Sequence, residues 1–168
     1  MRRLALLTVL AALAAVPATA SAKTCTGGTI YVNKGFDTAR LGQTRSQLIG
    51  ELGKPNYENH NGYMQYGPNS LDPLCDVYRT SGKKNSTAKT FSFSGRGFVV
   101  SGGIKIFDNG GLRKLKAKYP QMHVIHPAND SPAYEITGRY HGRKAFTTIE
   151  PAKLSLDSRA VQVFIGFA

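Results

Sequence analysis

Two short helical segments, each followed by a proline, interrupt a chain that is otherwise typical of β-strands. The first helix is predicted at about 45–52. Thr44 and Gln47 form a capping box, in which each side chain satisfies the other residue's free backbone N–H. Gly53 is placed for a left-handed C-cap, and Pro55 lacks the N–H that a continuing helix requires. This local chemistry predicts a helix of about two turns.

The second helix is predicted at about 110–119, and Pro120 ends it. Asp108 or Asn109 is expected to cap its first turn. Three apolar residues recur at i, i+3 and i+7 and define its buried stripe, namely Leu112, Leu115 and Tyr119. The basic residues between them are therefore predicted to face water.

Segments of equal length follow the two prolines. Pro55 is followed by 48 residues up to Gly103, and Pro120 is followed by 48 residues. The candidate strands are 63–66, 76–79, 90–94 and 98–101 in the first segment, and 123–126, 134–140, 143–149 and 160–167 in the second. We therefore predict an α+β protein of two tandem units, 23–103 and 104–168, each a short helix followed by a four-stranded antiparallel sheet. The alternative is one irregular α+β domain whose equal halves are coincidental.

The first residues have the pattern of a secretory signal peptide. Arg2 and Arg3 precede an apolar stretch at 4–16, and Ala-Ser-Ala at 20–22 forms a small-residue cleavage site. The apolar stretch of 13 residues is too short to span a hydrocarbon core about 30 Å thick. We therefore predict that 1–22 is removed and that the mature chain is exported, either secreted or periplasmic. The alternative is a membrane anchor that is never cleaved.

The chain has two cysteines, Cys25 and Cys75. Outside the cytoplasm, in an oxidising compartment, two such cysteines are expected to form a disulfide. A Cys25–Cys75 disulfide would tie the mature N-terminus to the middle of the first unit. The alternative, a reactive thiol, lacks a second motif element such as C-x-x-C.

The positive charge of the chain is concentrated in one region. The 168 residues carry 22 Lys+Arg against 10 Asp+Glu, a formal net charge of +12. Within 77–128 there are 10 basic residues and one acidic residue, Asp108. Such asymmetry attracts polyanions or acidic proteins, and a solvated surface is the competing explanation. The candidate anion-binding residues are Lys83, Lys84, Lys89, Arg96, Arg113, Lys114, Lys116 and Lys118.

No residue pattern predicts a metal ion, a cofactor or a set of catalytic residues. His123 and His126 are three apart in a predicted strand, so they point to opposite faces. His141 and Gly142 are typical of a two-residue hairpin turn. A ribonuclease-type phosphodiesterase is an alternative, because one predicted hairpin offers acid, base and cationic side chains. Its candidate residues are Glu135, Arg139, His141 and Glu150.

The first helix and its flanks carry a motif of a known family. Leu41–Leu48 followed by Leu52–Pro55 resembles the signature G-x-T-x-x-x-V/L-x-x-x-L-G-x-P of the SmpA/OmlA type, the small lipoprotein of outer-membrane barrel assembly. The same opening occurs in the β-lactamase inhibitor protein fold, which doubles the unit. The match is close over this stretch and extends to the rest of the chain by layout alone. The resemblance implies a protein-binding module with a curved sheet and no enzymatic activity.

By that resemblance, exposed aromatic residues would contact the partner, and Tyr63, Tyr66 and Tyr78 are the candidates. A core position suits each of them equally well. The loop before Cys75 is also placed to present Leu71 or Asp72 to a partner. The expected function is thus that of an exported, monomeric module that binds a protein. The alternative partner is an anionic polymer of the cell envelope, bound by the basic region.

Overall fold

The computed structural model describes residues 27–67, 74–127 and 131–168. Within these ranges the chain forms twelve strands and two helices. The strands are β1 (Gly28–Tyr31), β2 (Gly35–Phe36), β3 (Ala39–Arg40), β4 (Tyr57–Glu58), β5 (Tyr63–Tyr66), β6 (Leu74–Arg79), β7 (Ala88–Ser94), β8 (Phe98–Val100), β9 (His123–Ile125), β10 (Ala133–Tyr140), β11 (Arg143–Pro151) and β12 (Ala160–Phe167). The helices are α1 (Arg45–Leu52) and α2 (Gly111–Lys118). The protein is mostly β, so the predicted α+β class is wrong.

Eight strands form one continuous antiparallel sheet in the order β4-β5-β6-β7-β12-β11-β10-β9. Neighbouring strands of this large sheet are also consecutive in the chain, except where β7 pairs with β12. At that junction Phe91 lies opposite Ile165 and Phe93 lies opposite Val163. All four side chains are at most 1% exposed and belong to a single hydrophobic core. The junction therefore joins the two runs of four strands into one sheet with one core.

Alternation along the strands gives the large sheet two different faces. Val77, Phe91 and Ile165 lie opposite one another on adjacent strands, and each is at most 1% exposed. We call the side that carries them the inner face. The residues between them point the other way, to what we call the outer face. The inner face supplies the core, whereas the outer face bears polar and aromatic side chains.

A second sheet of four strands, in the order β3-β2-β1-β8, packs on the inner face. β1 and β8 pair in parallel, with Ile30 opposite Val100. The ring centroids of Phe36 and Phe98 lie 5.1 Å and 5.6 Å from that of Phe93 in the large sheet. Aromatic pairs at such separations stabilise packing beyond the area that they bury. The core therefore lies on the inner side of the large sheet, and the outer face lies outside it.

Helix α1 has the predicted bounds and the predicted cap. The hydroxyl of Thr44 accepts a hydrogen bond from the backbone N–H of Gln47, and the Gln47 side chain accepts one from the Thr44 N–H at 2.8 Å. Leu48 and Leu52 are buried. Gly53 follows as the C-cap with φ of 80° and ψ of −173°, which glycine adopts without steric cost but which is not the predicted left-handed helical conformation.

Helix α2 begins one residue later and ends one residue earlier than predicted. Gly110, with φ of 76°, is the N-cap, and no side chain caps the first turn. The predicted cap by Asp108 or Asn109 is therefore wrong, because a left-handed glycine occupies the capping position. Leu112 and Leu115 are fully buried, as the predicted stripe requires.

The two tandem units predicted at 23–103 and 104–168 do not describe this architecture. The strand predicted at 98–101 leaves the large sheet and pairs as β8 with β1. Residues 28–40 add three strands that the sequence patterns did not predict. Phe98 and Val100 are at most 1% exposed. Burial in the common core, rather than local alternation, thus decides which sheet this strand joins.

Several predictions concern residues outside the described ranges. These are the signal peptide at 1–22, Cys25, and the loop residues Leu71 and Asp72. Cys75 lies in β6, is 2% exposed and is not a free thiol. Its predicted partner, Cys25, is not described, so the Cys25–Cys75 pair itself lies outside what the structure shows. In the part of the chain that is described, no helix combines the length and apolar character needed to cross a membrane.

Candidate functional site

Three tyrosines meet on the outer face of the large sheet, where β4, β5 and β6 lie side by side. Tyr57, Tyr63 and Tyr78 form what we call the tyrosine patch. The ring centroids of Tyr57 and Tyr63 are 6.0 Å apart, and those of Tyr63 and Tyr78 are 5.1 Å apart. Tyr57 is 52% exposed and Tyr78 is 42% exposed. The patch therefore presents aromatic surface to solvent.

Strand pairing sets the positions of the three rings. Tyr63 lies directly opposite Tyr78 in the β5–β6 pair. Side chains opposite each other on one face have Cβ atoms about 5 Å apart, which brings these rings into contact. Tyr57 lies opposite Gln65 and reaches Tyr63 diagonally. Backbone pairing, rather than a loop conformation, thus holds the tyrosine patch in place.

Asp76 lies on β6 next to the tyrosine patch and is only 8% exposed. Its Oδ1 accepts a hydrogen bond from the Tyr63 hydroxyl at 3.1 Å. The ion pairs among the described residues do not include Asp76. Burial raises the pKa of the Asp76 carboxyl, while the hydrogen bond from Tyr63 acts in the opposite direction. The fold therefore holds this carboxylate away from water without pairing it to a cation.

Burial also changes the pKa values of the tyrosines beside Asp76. Burial, followed by the negative charge of Asp76, raises the pKa of Tyr63 and the pKa of Tyr78. Both phenols therefore stay protonated at neutral pH and are able to donate hydrogen bonds. Chemically, the site consists of one carboxylate with neutral tyrosines on one side and the polar Gln65 and Ser92 on the neighbouring strands.

A cross-strand row extends from the tyrosine patch over the outer face. Its members from β5 to β10 are Gln65, Asp76, Ser92, Phe164, Thr148 and Glu135. Ser92 is buried and accepts a hydrogen bond from Gln162 Nε2 at 2.9 Å. Phe164 is half-buried in the centre of the sheet. The outer face is thus a polar and aromatic surface that continues beyond the three tyrosines.

Tyr66, which the family resemblance had suggested as a contact residue, lies on the other side of the sheet. It is three residues from Tyr63 in β5, so its side chain points to the inner face, where it is 1% exposed. Burial is the largest cause of the raised pKa of Tyr66. Its hydroxyl has no hydrogen-bond partner within the described residues. Tyr66 is a core residue here and is not available to a partner.

Sequence reasoning missed Tyr57 and Asp76 as members of the site. Tyr57 belongs to a strand of two residues, which is too short to show a periodic pattern. One usable signal was the spacing of Tyr63 and Tyr66, because residues three apart in a strand face opposite sides. Asp76 alternates with the buried Val77 in a strand that was predicted, so its outward direction could have been read from the same rule.

A separate ion network lies on the inner face, near the edge of the large sheet. Glu58 accepts hydrogen bonds from Arg45 Nη2 at 2.8 Å and from Arg79 Nη2 at 2.7 Å. The Arg79 side chain is 1% exposed and also donates to Ser86 Oγ at 2.6 Å. The hydrogen bond from Arg45 is the largest cause of a lowered pKa at Glu58. Since Glu58 is bound by two cations of the chain and the buried Arg79 has Glu58 as its counter-charge, we assign the network to stability.

The candidate anion-binding residues do not converge on one surface. Lys83 and Lys84 lie in the turn that joins β6 to β7, whereas Arg96 lies in the turn after β7. The seven residues of β7 separate the two turns by about 20 Å. Lys89 is exposed near the start of the same strand. The basic stretch of the sequence is therefore divided between two ends of the sheet.

The basic residues of α2 make local contacts. Arg113 Nη2 forms an ion pair with Asp157 Oδ1 at 2.5 Å. The ammonium groups of Lys116 and Lys118 donate hydrogen bonds to backbone carbonyls. Lys114 is exposed. Three basic side chains of α2 therefore bind other groups of the protein itself.

The residues considered for phosphodiesterase chemistry are spread along the β10–β11 hairpin. His141 and Gly142 form its two-residue turn, as predicted. Glu135 is six residues from His141, which corresponds to about 20 Å along an extended strand. Arg139 lies close to the turn and Glu150 lies at the far end of β11. Glu135 lies opposite Thr148, which makes it a diagonal neighbour of Glu150, whereas His141 lies at the turn. A general acid, a general base and a cation must reach the same substrate, and this spacing does not bring the histidine to the two carboxylates.

The described residues contain no group of three His, Cys, Asp or Glu side chains that could hold a metal ion. Comparisons of the chain with protein-family models, with curated proteins and with solved structures found no match. The resemblance to the SmpA/OmlA type and to the β-lactamase inhibitor protein fold therefore stays a prediction. The tyrosine patch beside Asp76, on the outer face, is the candidate functional site.

Proposed function

We propose that this protein is an exported, non-catalytic module that binds another protein through the outer face of its large sheet. The tyrosine patch is the centre of the binding surface. The observation that carries the proposal is the exposure of Tyr57 and Tyr78, 52% and 42%, on regular strands. Tyrosine is enriched at the energetic centres of interfaces, because its ring buries a large area and its hydroxyl hydrogen-bonds.

The rigidity of the patch also supports this function. Tyr63 is held between the other two rings and donates its hydroxyl hydrogen to Asp76. Side chains that are already ordered lose less conformational entropy when a partner binds. A patch on paired strands is therefore better suited to tight binding than the same residues on a loop.

Charge distribution favours a protein over a polyanion as the partner. A polyanion is attracted by a contiguous positive surface. Lys83 and Arg96 lie beyond opposite ends of β7, and Arg113 is paired with Asp157. Export, which the pattern at 1–22 supports, means that the partner is a secreted or envelope protein.

The proposal is tested by capture and by affinity measurement. The purified exported protein is immobilised and exposed to envelope and culture proteins of the producing cell. We expect a discrete protein to be retained at about 0.5 M salt, where the screening length is roughly 4–5 Å. Two interface tyrosines contribute about 1 kcal/mol or more each, so Tyr57→Ala/Tyr78→Ala should weaken affinity for that protein about 30-fold.

Leu154→Ala is the matched control. Leu154 is 48% exposed but lies in the β11–β12 connection, away from the tyrosine patch. Its removal should leave the affinity unchanged. Equal affinity of the double tyrosine variant and the wild type would contradict the proposal. So would retention of heterogeneous anionic material that is released by moderate salt, because the basic residues would then be the functional ones.

A further inference from the structure

Asp76 is a carboxylate that the fold retains without a balancing cation. It is 8% exposed and accepts a hydrogen bond from Tyr63 at 3.1 Å, and it belongs to none of the ion pairs of the described residues. Moving a carboxylate out of water costs free energy that an uncharged side chain does not incur. An asparagine would accept the same hydrogen bond from Tyr63. Packing alone therefore does not require the charge.

The rings beside Asp76 provide the surface that a cation favours. The planes of Tyr63 and Tyr78 are inclined by 45°, and those of Tyr57 and Tyr63 by 55°. The face of an aromatic ring carries partial negative charge, which attracts a cation within about 6 Å of its centroid. The carboxylate and the ring faces therefore act on a cation in the same direction.

The nearest outer-face positions of the sheet are uncharged. On β5, β6 and β7, the row of Asp76 contains Gln65 and Ser92, and the next row contains Tyr63, Tyr78 and Thr90. The nearest basic residue by register is Lys89, at the irregularity beyond Tyr78, and no ion pair joins it to Asp76. The chain as a whole carries a net charge of +12. On β5, β6 and β7, however, these two rows contain one charged residue, the negative Asp76. The patch is thus complementary to a positively charged group.

We propose that the tyrosine patch and Asp76 bind an arginine side chain of the partner protein. This inference rests on the proposed function and specifies the chemistry of the partner at that surface. A planar guanidinium stacks on a tyrosine ring and also donates charge-assisted hydrogen bonds to a carboxylate. Tyr63 uses one acceptor position of Asp76 and leaves others for the ligand. A lysine ammonium is more strongly hydrated and does not stack, so arginine fits both parts of the site better.

The test titrates the purified protein with N-acetyl-arginine methylamide and follows the tyrosine ring resonances by NMR. We expect saturable shifts at Tyr63 and Tyr78. The matched probe is N-acetyl-citrulline methylamide, in which an uncharged urea replaces the guanidinium at nearly the same shape. Citrulline should bind roughly tenfold more weakly, because it lacks the cation–π and charge-assisted contributions. Equal binding of the two probes would overturn the proposal.

Two variants isolate the role of the carboxylate. Asp76→Asn keeps the size of the side chain and an acceptor for Tyr63, and it should reduce arginine binding to the level of citrulline. Glu135→Gln removes a half-buried carboxylate from the same outer-face row but on β10, and it should leave arginine binding unchanged. Urea unfolding establishes that both variants are folded. Undiminished arginine binding by folded Asp76→Asn would overturn the proposal.

The arginine inference and the proposed function fail in different ways. If the tyrosine double variant loses the captured protein while Asp76→Asn binds it as tightly as wild type, the arginine inference is wrong and the binding face stands. If the arginine probe binds but the captured protein is insensitive to the tyrosines, the proposed function is wrong. The assignment of the arginine to a partner protein then falls with it.

Discussion

Glu58 and Asp76 are carboxylates two strands apart in the same sheet, and the fold treats them in opposite ways. Glu58 faces inward and is bound by Arg45 and by the buried Arg79 at 2.8 Å and 2.7 Å. Its pKa is lowered. Asp76 faces outward, accepts one hydrogen bond from Tyr63, and has a raised pKa. The ionised form of Glu58 therefore stabilises the folded chain, whereas the ionised form of Asp76 destabilises it.

On our proposal, this difference separates a structural role for Glu58 from a functional role for Asp76. Cations that satisfy Glu58 are part of the fold, so its charge is balanced before any partner is present. Asp76 is held beside exposed tyrosines with its charge unbalanced. Groups whose ionisation costs stability are typical of functional sites, because selection keeps them for binding or catalysis rather than for folding. Three substitutions test whether the two carboxylates differ in this way.

The largest effect is expected at the inner-face network. Arg79→Ala removes the buried partner of Glu58 and of Ser86, and it should lower the free energy of unfolding by about 3–5 kcal/mol. Urea unfolding followed by circular dichroism measures it. Arg113→Ala is the control, because its ion pair with Asp157 is exposed to solvent and should contribute little to stability. Similar losses in both variants would show that burial of the ion pair is unimportant here.

Glu58→Gln should cost about 2 kcal/mol at neutral pH, since a neutral amide replaces the carboxylate and leaves the buried Arg79 without its counter-charge. The folded-state pKa of Glu58 lies below its unfolded value, so its contribution is present above the unfolded pKa. That contribution is lost as the pH falls through the folded-state pKa. Unfolding free energies of wild type and variant should therefore converge in acid. A difference that is independent of pH would contradict the assignment.

Asp76→Asn should change the free energy of unfolding in the opposite direction, and by the smallest amount of the three substitutions. The folded-state pKa of Asp76 lies above its unfolded value, so wild type loses stability as the pH rises through the folded-state pKa. The variant lacks that loss and should be more stable by about 1 kcal/mol at neutral pH. Below the unfolded pKa of Asp76 the two proteins should be equally stable. A destabilised Asp76→Asn at neutral pH would mean that the carboxylate supports the fold.

Features encoded by neighbouring residues were predictable. The capping box of Thr44 and Gln47 forms α1 with the predicted bounds, because both hydrogen bonds lie within three residues. Strands β5 and β12 also have their predicted bounds, Tyr63–Tyr66 and Ala160–Phe167. Alternation along a strand depends only on backbone geometry, so it is visible before the strand has a partner.

Features that depend on the choice of partner strand were not predictable. The alternation of Phe98–Val100 indicates a strand but does not say which sheet it joins, and it pairs with β1, far away in the chain. Tyr57 belongs to a strand only because β5 pairs with it. The tyrosine patch needs both pairings of β5, so no local pattern contains it.

Local hydrogen bonding predicted helix α1, and side-chain alternation predicted the approximate positions of eight strands, β5 to β12. The excess of positive charge follows from composition alone. The assembly of one eight-stranded sheet over a smaller one was decided by packing, because buried residues such as Phe93 and Phe98 meet across long sequence separations. The same packing buried Tyr66 in the core and left Tyr63 beside Asp76 on the outer face. A strand's own sequence distinguishes its two sides, but only tertiary contacts determine which side is buried.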